Sequence, residues 1–459
     1  MKNNLTRYWP IGLSGLILLL AGCERFLEID PPNSKIGKES VFGNERTAEG
    51  ALKGIYRTMG SGFNGFANGY TGSVSINGAL SADELLFVNN YGLTSPYEEI
   101  NSNNISPRNA SVETLWSNCY EAIYMINVLL EETADGAGIS GVNRMRGEAY
   151  FLRAFTYFYL TNLFGPIPLA IGSDYRENAR LPLSAQEMVY QLIINDLEAA
   201  EQLLPTDYTG MARATPNKAA AQAMLARVYL YLQDWERAEQ YATEVIGQTG
   251  LYRMEQELDK VFSVGSGEAI WQRLPDEVTG NALEATLFFS NAQYTHGITG
   301  SLLGAFEPQD KRRVQWVYLK DAGTQLYVPY KYRVTGIEES VEYSVILRLA
   351  ELYLIRAEAR AQRDNPVGAI ADLDVIRGRA GLALLQDTNP ALAGQALIDS
   401  IFAERQRELF TEWGHRWLDL KRSGRAVEVL GPVKPGFTAA DEWYPIPENE
   451  ELRNPNMHQ

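Results

Sequence analysis

The sequence predicts an all-α-dominated fold of antiparallel helix pairs, interrupted by long irregular loops and with little β-strand. Three observations carry this. Apolar residues recur at helical spacing over most of the chain. Several of these stretches are joined by very short turns, which sets neighbouring helices antiparallel. Two segments break the pattern. Residues 60–112 are rich in Gly, Asn, Ser and Tyr, and residues 250–340 scatter aromatics among Gly, Asn and charged side chains. Such ordered loops cost entropy and usually carry function.

The first helix is expected over residues 41–59, where Ala48, Leu52, Ile55 and Tyr56 share a face. A second covers 113–132. A third covers 144–164, with Met145, Ala149, Leu152, Phe155 and Tyr159 on one side, and Gly165-Pro166 stops it. Ser184 followed by Glu187 reads as a capping box opening a helix that ends before Pro205. Thr215-Pro216 opens the next, with Pro at the first helical position, and residues 234–246 follow after a tight turn. Helices return over 342–362, 367–379 and 396–413. The tail motif Tyr444-Pro445-Ile446-Pro447 cannot be helical.

The clearest pairing lies between residues 220 and 245. Leu225, Ala226 and Tyr229 on one helix are followed by Trp235, Ala238, Ala242 and Val245 on the next. Large and small residues fall at the spacing of a tetratricopeptide repeat, so the small ones admit a close helix approach and the large ones fill the groove. A weaker copy runs over 347–376, with Ala357, Ala369, Leu373 and Ile376. Two further pairs, 41–59 with 113–132 and 144–164 with 187–204, have suitable lengths. A generic antiparallel α-hairpin accounts for the same spacings.

The first residues speak to compartment. Lys2 and Arg7 precede an apolar run, residues 11–20, which is too short to span a bilayer and reads as a signal peptide over residues 1–22. Leu20-Ala21-Gly22-Cys23 is similar to a bacterial lipobox, in which the Cys thiol is acylated. One acyl chain holds a protein only marginally, at ~0.8 kcal/mol per buried CH₂, whereas several on Cys23 hold it almost permanently. Removing Lys2 and Arg7 with the signal takes the formal charge from −16 to −18. Such a surface repels phosphate backbones and excludes nucleic acid as a partner. Residues 23–40, with Pro31-Pro32, read as an extended tether, and residues 41–459 as one domain. Cys119, with no nearby His or second Cys, reads as a buried structural thiol.

Catalytic signatures are missing from the sequence. It has no Gly-x-Ser-x-Gly elbow, no His-Glu-x-x-His and no Gly-rich phosphate loop. Its three histidines, His296, His415 and His458, form no metal-binding cluster, so no cofactor is expected. Structural calcium on loop carboxylates stays open, without a loop motif behind it. The acids Asp83-Glu84, Glu98-Glu99, Glu307 and Asp310 could in principle flank a glycosidic bond. Glu404, Arg405, Arg407, Glu408, Glu412 and Arg416 read instead as an ion-pair network packed over Trp413 and Trp417.

Four motifs then fall in order. Arg153-Ala154-Phe155-Thr156-Tyr157-Phe158-Tyr159-Leu160 runs into Leu163-Phe164-Gly165-Pro166-Ile167-Pro168-Leu169. Ile346-Leu347-Arg348-Leu349-Ala350-Glu351-Leu352-Tyr353-Leu354 precedes Arg356-Ala357-Glu358-Ala359. Glu404-Arg405-Gln406-Arg407-Glu408-Leu409-Phe410 precedes Gly414-His415-Arg416-Trp417-Leu418-Asp419-Leu420-Lys421-Arg422. Tyr444-Pro445-Ile446-Pro447-Glu448-Asn449-Glu450 precedes Asn454-Pro455-Asn456. With Cys23, Phe26-Leu27 and Pro31-Pro32, these resemble the SusD/RagB nutrient-binding lipoproteins across essentially the whole mature chain. The resemblance implies four tetratricopeptide-like pairs as a scaffold and an irregular part that binds ligand. It further implies a place on the outer face of the outer membrane, anchored by lipid. The partner it implies is a SusC-like TonB-dependent transporter, to which an oligosaccharide or, in some members, a peptide is delivered without catalysis. The alternative class is a lipid-anchored glycan hydrolase.

In that family, aromatics from the two irregular regions form the binding arc. Here residues 60–112 offer Phe63, Phe66, Tyr70, Tyr91 and Tyr97 beside Asn89, Asn90 and Asp83, without any Trp. Residues 290–332 add Tyr294, Trp316 and Tyr318 beside Arg312, Arg313 and Asp310. Trp316 and Tyr294 are the expected stacking platforms, with Tyr91 or Tyr97 opposite and Asn89, Asn90 and Asp83 bonding ligand hydroxyls.

Overall fold

The computed structural model describes residues 41–458, apart from 61–64, 67–72, 90, 91, 93, 135–137, 276–279, 290–293, 338 and 340. The signal peptide, Cys23 and the tether of residues 23–40 lie outside the described residues. Of the described residues, 57% are helical. Eight helices make the scaffold: α1 (Glu45–Gly60), α2 (Ala110–Glu132), α3 (Val142–Phe164), α4 (Gln186–Leu203), α5 (Lys218–Tyr231), α6 (Trp235–Ile246), α7 (Leu349–Gln362) and α8 (Pro366–Arg379). They pack as four pairs, α1 with α2, α3 with α4, α5 with α6 and α7 with α8, the pairings expected from helix length for the first two and from residue spacing for the last two. Successive pairs stack through α2 on α3, α4 on α5 and α6 on α7. α9 (Gly394–Leu409) closes the last pair, and α10 (His415–Arg422) follows it.

The α5–α6 pair shows why the pattern works. Ala220, Ala223 and Ala226 on α5 and Ala238 and Ala242 on α6 are all buried, and Tyr229 stacks on Tyr241 at 5.7 Å and 8°. Asn217 caps α5 by accepting from the Ala220 amide at 3.0 Å, and Asp234 caps α6 by accepting from the Arg237 amide at 3.1 Å. Buried ion pairs pin adjacent helices in register. Arg153 on α3 makes a bidentate contact with Asp196 on α4 (2.7 and 2.8 Å), and Arg227 on α5 does so with Glu351 on α7 (2.7 and 2.6 Å). Cys119 is fully buried on α2, and burial pushes its thiol well above the usual range.

Three local expectations are corrected. Ser184 does not cap α4. It lies in a strand opposite Ile167, and Ala185 takes the cap position without a side-chain bond. Pro216 stands two residues before α5 rather than at its first turn. The helix expected over 342–362 begins only at Leu349, because Ser344–Arg348 is a fully buried strand. β-branched Val345 and Ile346 suit that pleated, two-sided burial.

The two irregular segments are more ordered than their composition suggests. They form short helices and most of the strands: β1 (Leu85–Asn89), β4 (Ala269–Arg273), β5 (Tyr294–Ile298), β6 (Val317–Asp321) and β7 (Leu326–Pro329). β2 (Ile167–Pro168), β3 (Leu183–Ser184) and β8 (Ser344–Arg348) complete the set among the described residues. All pair antiparallel in twos: β1–β5, β2–β3, β4–β8 and β6–β7. Around them lies a second apolar cluster, in which Ile76, Leu80 and Leu85 from the first segment meet Phe262, Leu283 and Trp316 from the second.

This module is bolted to α9 by the predicted ion-pair network. Glu408 accepts from Arg348 (2.6 Å), Arg312 (3.0 Å) and Arg379. Glu412 joins Arg348 at 2.7 Å and Lys331 at 2.5 Å, and Glu404 joins Arg312 and Arg407, both at 2.7 Å. Trp413 and Trp417 are buried close by, as expected.

Candidate ligand-binding face

The pairing of β1 with β5 brings the two irregular segments together. Its register runs from Leu85 opposite Ile298 to Asn89 opposite Tyr294. Gly297 makes the junction possible, since a Cβ there would stand 2.7 Å from Leu326 Cδ1 on β7 and 3.3 Å from Leu86 Cδ1 on β1. β7 therefore lies against β5 and carries the β6–β7 hairpin with it. The hairpin turn is held by Asp321, which accepts from the Gly323 amide and the Thr324 hydroxyl, both at 2.8 Å.

One face of this hairpin presents rings. Tyr318 on β6 stands opposite Val328 on β7, and Tyr330 follows Val328 by two residues, so both tyrosines project to the same side. Their ring centroids lie 5.2 Å apart, and Phe289 completes a triangle at 5.7 Å from Tyr318 and 5.1 Å from Tyr330. Tyr318 is 45% exposed, while Phe289 and Tyr330 are half-buried. Polar groups border the rings. The Arg333 guanidinium lies 4.9 Å from the Tyr330 centroid and donates to the Gln315 carbonyl at 2.8 Å. Lys320 donates to the Phe288 carbonyl at 3.2 Å, and desolvation lowers its ammonium pKa. Beside Tyr327, Arg313 stacks at 4.5 Å.

The sequence-predicted site residues divide. Asn89 and Tyr294 meet at the end of β1–β5, where Asn89 is half-buried and donates to Glu98 at 2.7 Å. Asn90 and Tyr91 lie outside the described residues. Three assignments are corrected. Trp316 is fully buried, donates its indole N–H to the Leu258 carbonyl at 2.9 Å and packs on Phe262, so it is a core residue and offers no ring face to a ligand. Tyr97 is buried edge-to-face against His296 at 5.1 Å. Asp83 is buried and accepts from Arg416 (2.8 and 3.1 Å) and Ser301 (2.9 Å). Burial pushes its carboxyl up, but Arg416 and Ser301 outweigh that and hold it below its usual value.

Phe289 and Tyr330 carry the ring cluster without having been singled out. A usable signal was present: Asp321-Ala322-Gly323-Thr324 is turn chemistry between two short alternating runs, which marks a hairpin and sets Tyr318 and Tyr330 on one face.

The carboxylates that might have served a hydrolase are engaged elsewhere. Glu307 pairs with Arg377 at 2.7 Å and Asp310 with Arg312 at 2.8 Å, while Glu99 accepts from Asn109 at 2.8 Å. Glu84, pushed up to about 8 by burial, has the protonated character of a general acid. It is 1% exposed and accepts from the Thr411 amide, out of reach of a sugar. His415 is buried and held well below its usual pKa by desolvation and neighbouring cations. Among the described residues no three His, Cys, Asp or Glu side chains gather as a metal site, and no helix is long and apolar enough to cross a membrane.

The architecture is a helical-repeat scaffold that carries an irregular module with a partly exposed ring face. Residues 68–230 match the family model SusD-like_3, described as starch-binding and associating with the outer membrane. SusD-like protein P2 of Formosa agariphila is 27% identical over 96% of this chain and 97% of its own length. The starch-binding protein SusD of Bacteroides thetaiotaomicron is 28% identical over 36% of this chain and 29% of its own. A SusD superfamily protein from Bacteroides vulgatus has the same fold, with a TM-score of 0.78 at 21% identity over 90% of this chain and 98% of its own. A laminarin-binding SusD-like protein superposes with a TM-score of 0.74 at 24% identity, over 90% of this chain and 98% of its own. Along most of its length the chain is thus similar to SusD-like proteins, and it shares the fold of the SusD superfamily structures.

Proposed function

We propose that this chain is a surface lipoprotein of the outer membrane that captures an oligosaccharide and delivers it to a partner TonB-dependent transporter. The observation that carries the ligand reading is the partly exposed Phe289–Tyr318–Tyr330 cluster on the β6–β7 hairpin, which packs against β5. Sugar rings present C–H faces that stack on such side chains, with Arg333 and Lys320 beside the rings, and Asn89 at the end of β1, as the proposed hydroxyl partners. The starch- and laminarin-binding relatives support the same ligand class. The reading calls for no cofactor and no catalytic group, in keeping with the engaged carboxylates.

Truncation of an exposed stacking anchor costs binding, not folding. Tyr318→Ala is expected to weaken the saccharide selected from an oligosaccharide and peptide panel by about thirtyfold or more, about 2 kcal/mol. Its melting temperature should stay within a degree or two of the parent. Calorimetric titration and a thermal melt read both quantities. Unchanged saccharide affinity, or a panel in which only peptides bind, would overturn the assignment.

Acylation at Cys23 supplies the membrane attachment in this reading. Cys23→Ala is expected to move the protein from the membrane pellet to the soluble fraction. In mild detergent the parent should bring down a large β-barrel. Stable insertion of the variant after a high-salt wash contradicts the anchor, and repeated isolation of the parent alone contradicts the partner.

A further inference from the structure

A second ring-lined hollow lies on the scaffold and shares no residue with the Tyr318 face. Trp116, Tyr120 and Tyr124 stand four residues apart on α2, so they form one stripe along the helix. The segment after α3 folds back over that stripe and brings Tyr175 and Asn178, and the C-terminal tail brings Glu450. Together they enclose a cleft of about 290 Å³. Trp116 lies beneath, 1% exposed between Tyr120 at 4.9 Å and Phe164 at 4.8 Å, so it backs the Tyr120 ring and offers no ring face of its own. Tyr120 is fixed by its hydroxyl bond to the Pro168 carbonyl at 2.8 Å. Tyr124 and Tyr175 form the rim, 43% and 73% exposed.

The fold does not use all of these groups. Among the described residues the Tyr124 hydroxyl has no protein partner. Asn178 donates its amide N–H to the Gly172 carbonyl at 2.9 Å and leaves its side-chain oxygen open. Ring faces with an amide oxygen, a phenol and a carboxylate at the rim match an occupant that is apolar on its faces and hydroxylated at its edges. The volume stands at the lower end of ligand pockets, room for one or two sugar rings and too small for a helix. Charge narrows the class further. Glu450, paired with Arg453 at 3.2 Å, lines the cleft, and among the described residues no Lys or Arg does. Arg176, beside Tyr175, is paired with Asp174 at 3.3 Å. Uronates and sulfated sugars are therefore disfavoured.

We infer that this cleft is a second saccharide subsite, specific for one or two units of a neutral sugar and independent of the Tyr318 face. The full mature chain labelled with 3-fluorotyrosine tests it, with the Tyr124 and Tyr175 resonances assigned by Phe replacement. The probes are maltose, cellobiose, laminaribiose and mannobiose, with digalacturonate as the anionic comparison. At least one neutral disaccharide is expected to shift both resonances saturably and to do so equally in Tyr318→Ala. Tyr175→Ala should weaken that response at least tenfold, with digalacturonate at least tenfold weaker on the parent. The inference is overturned if no neutral disaccharide gives a saturable shift, or if digalacturonate binds as well as they do. Loss of the response in Tyr318→Ala would assign it to the first face and overturns it too. Because Tyr318 and Tyr175 are read separately, failure of either site leaves the other standing.

Discussion

Glu408→Gln lowers the free energy of unfolding by about 3–5 kcal/mol, the range for removing one partner from a buried charge network. Glu408 is fully buried, and its two oxygens serve three guanidinium groups: Arg348 at 2.6 Å, Arg312 at 3.0 Å and Arg379. An amide keeps the shape but withdraws the charge, leaving cations that water cannot reach. Burial pushes the Glu408 carboxyl up, yet Arg379, Arg348 and Arg312 outweigh that and hold it well below its usual 4.5. The sign of the pH dependence follows. A carboxylate with a depressed folded pKa stabilises the protein above its unfolded value, and the contribution is lost as pH falls through the folded value. The parent therefore loses, on acidification below about pH 4.5, what the variant lacks at every pH. Guanidinium denaturation at pH 7 and along an acid series should show a wide gap that narrows toward acid. A gap under 1 kcal/mol at pH 7 would show that the network is not what ties α9 to the module.

Trp316→Ala is expected to cost about 3–5 kcal/mol of stability, the range for deleting a core aromatic. The indole fills the space between Phe262 and Phe410, and its N–H satisfies the Leu258 carbonyl at 2.9 Å. Lys331 loses a cation–π partner at 4.8 Å as well. Truncation thus opens a cavity and strands a buried carbonyl. Under conditions where the variant is folded, its saccharide affinity should match the parent within about twofold, while its denaturation midpoint falls sharply. The opposite pattern, a normal midpoint with lost binding, would return Trp316 to the ligand face.

Trp316 also shows where reading the sequence ran out. Its neighbours Asp310, Arg312 and Arg313 make the stretch look solvated, and an aromatic among charges looks exposed. Yet Arg312 is fully buried, because Glu404 and Glu408, about ninety residues on, neutralise it. Long-range ion pairing makes charged residues fit for a core, and local composition carries no trace of it. Asp83 was hidden for the same reason, since its partner Arg416 comes from α10. The helix pairs were legible because a 3.6-residue period and the Ala226–Ala238–Ala242 spacing are local facts. β8 was not, since a short, fully buried apolar run reads equally well as helix or strand until its partner β4 is known.

The ring face was half legible. Tyr318 stood among the aromatics of its segment, but Phe289 and Tyr330 join it only through the hairpin and the neighbouring short helix. Asn89 and Tyr294 are brought opposite each other by a strand pairing across about two hundred residues, beyond any periodicity signal.

The central claim is that this chain holds a saccharide on the Phe289–Tyr318–Tyr330 face without cleaving it. A crystal structure of the full mature chain with its best-bound oligosaccharide tests this most directly, with the ligand recovered and sized after the soak. The account predicts sugar rings stacked on Tyr318 and Tyr330, a polar contact from Arg333 or Lys320, and an oligosaccharide of unchanged length. A saccharide bound elsewhere with these rings bare, or a shortened one, would contradict it.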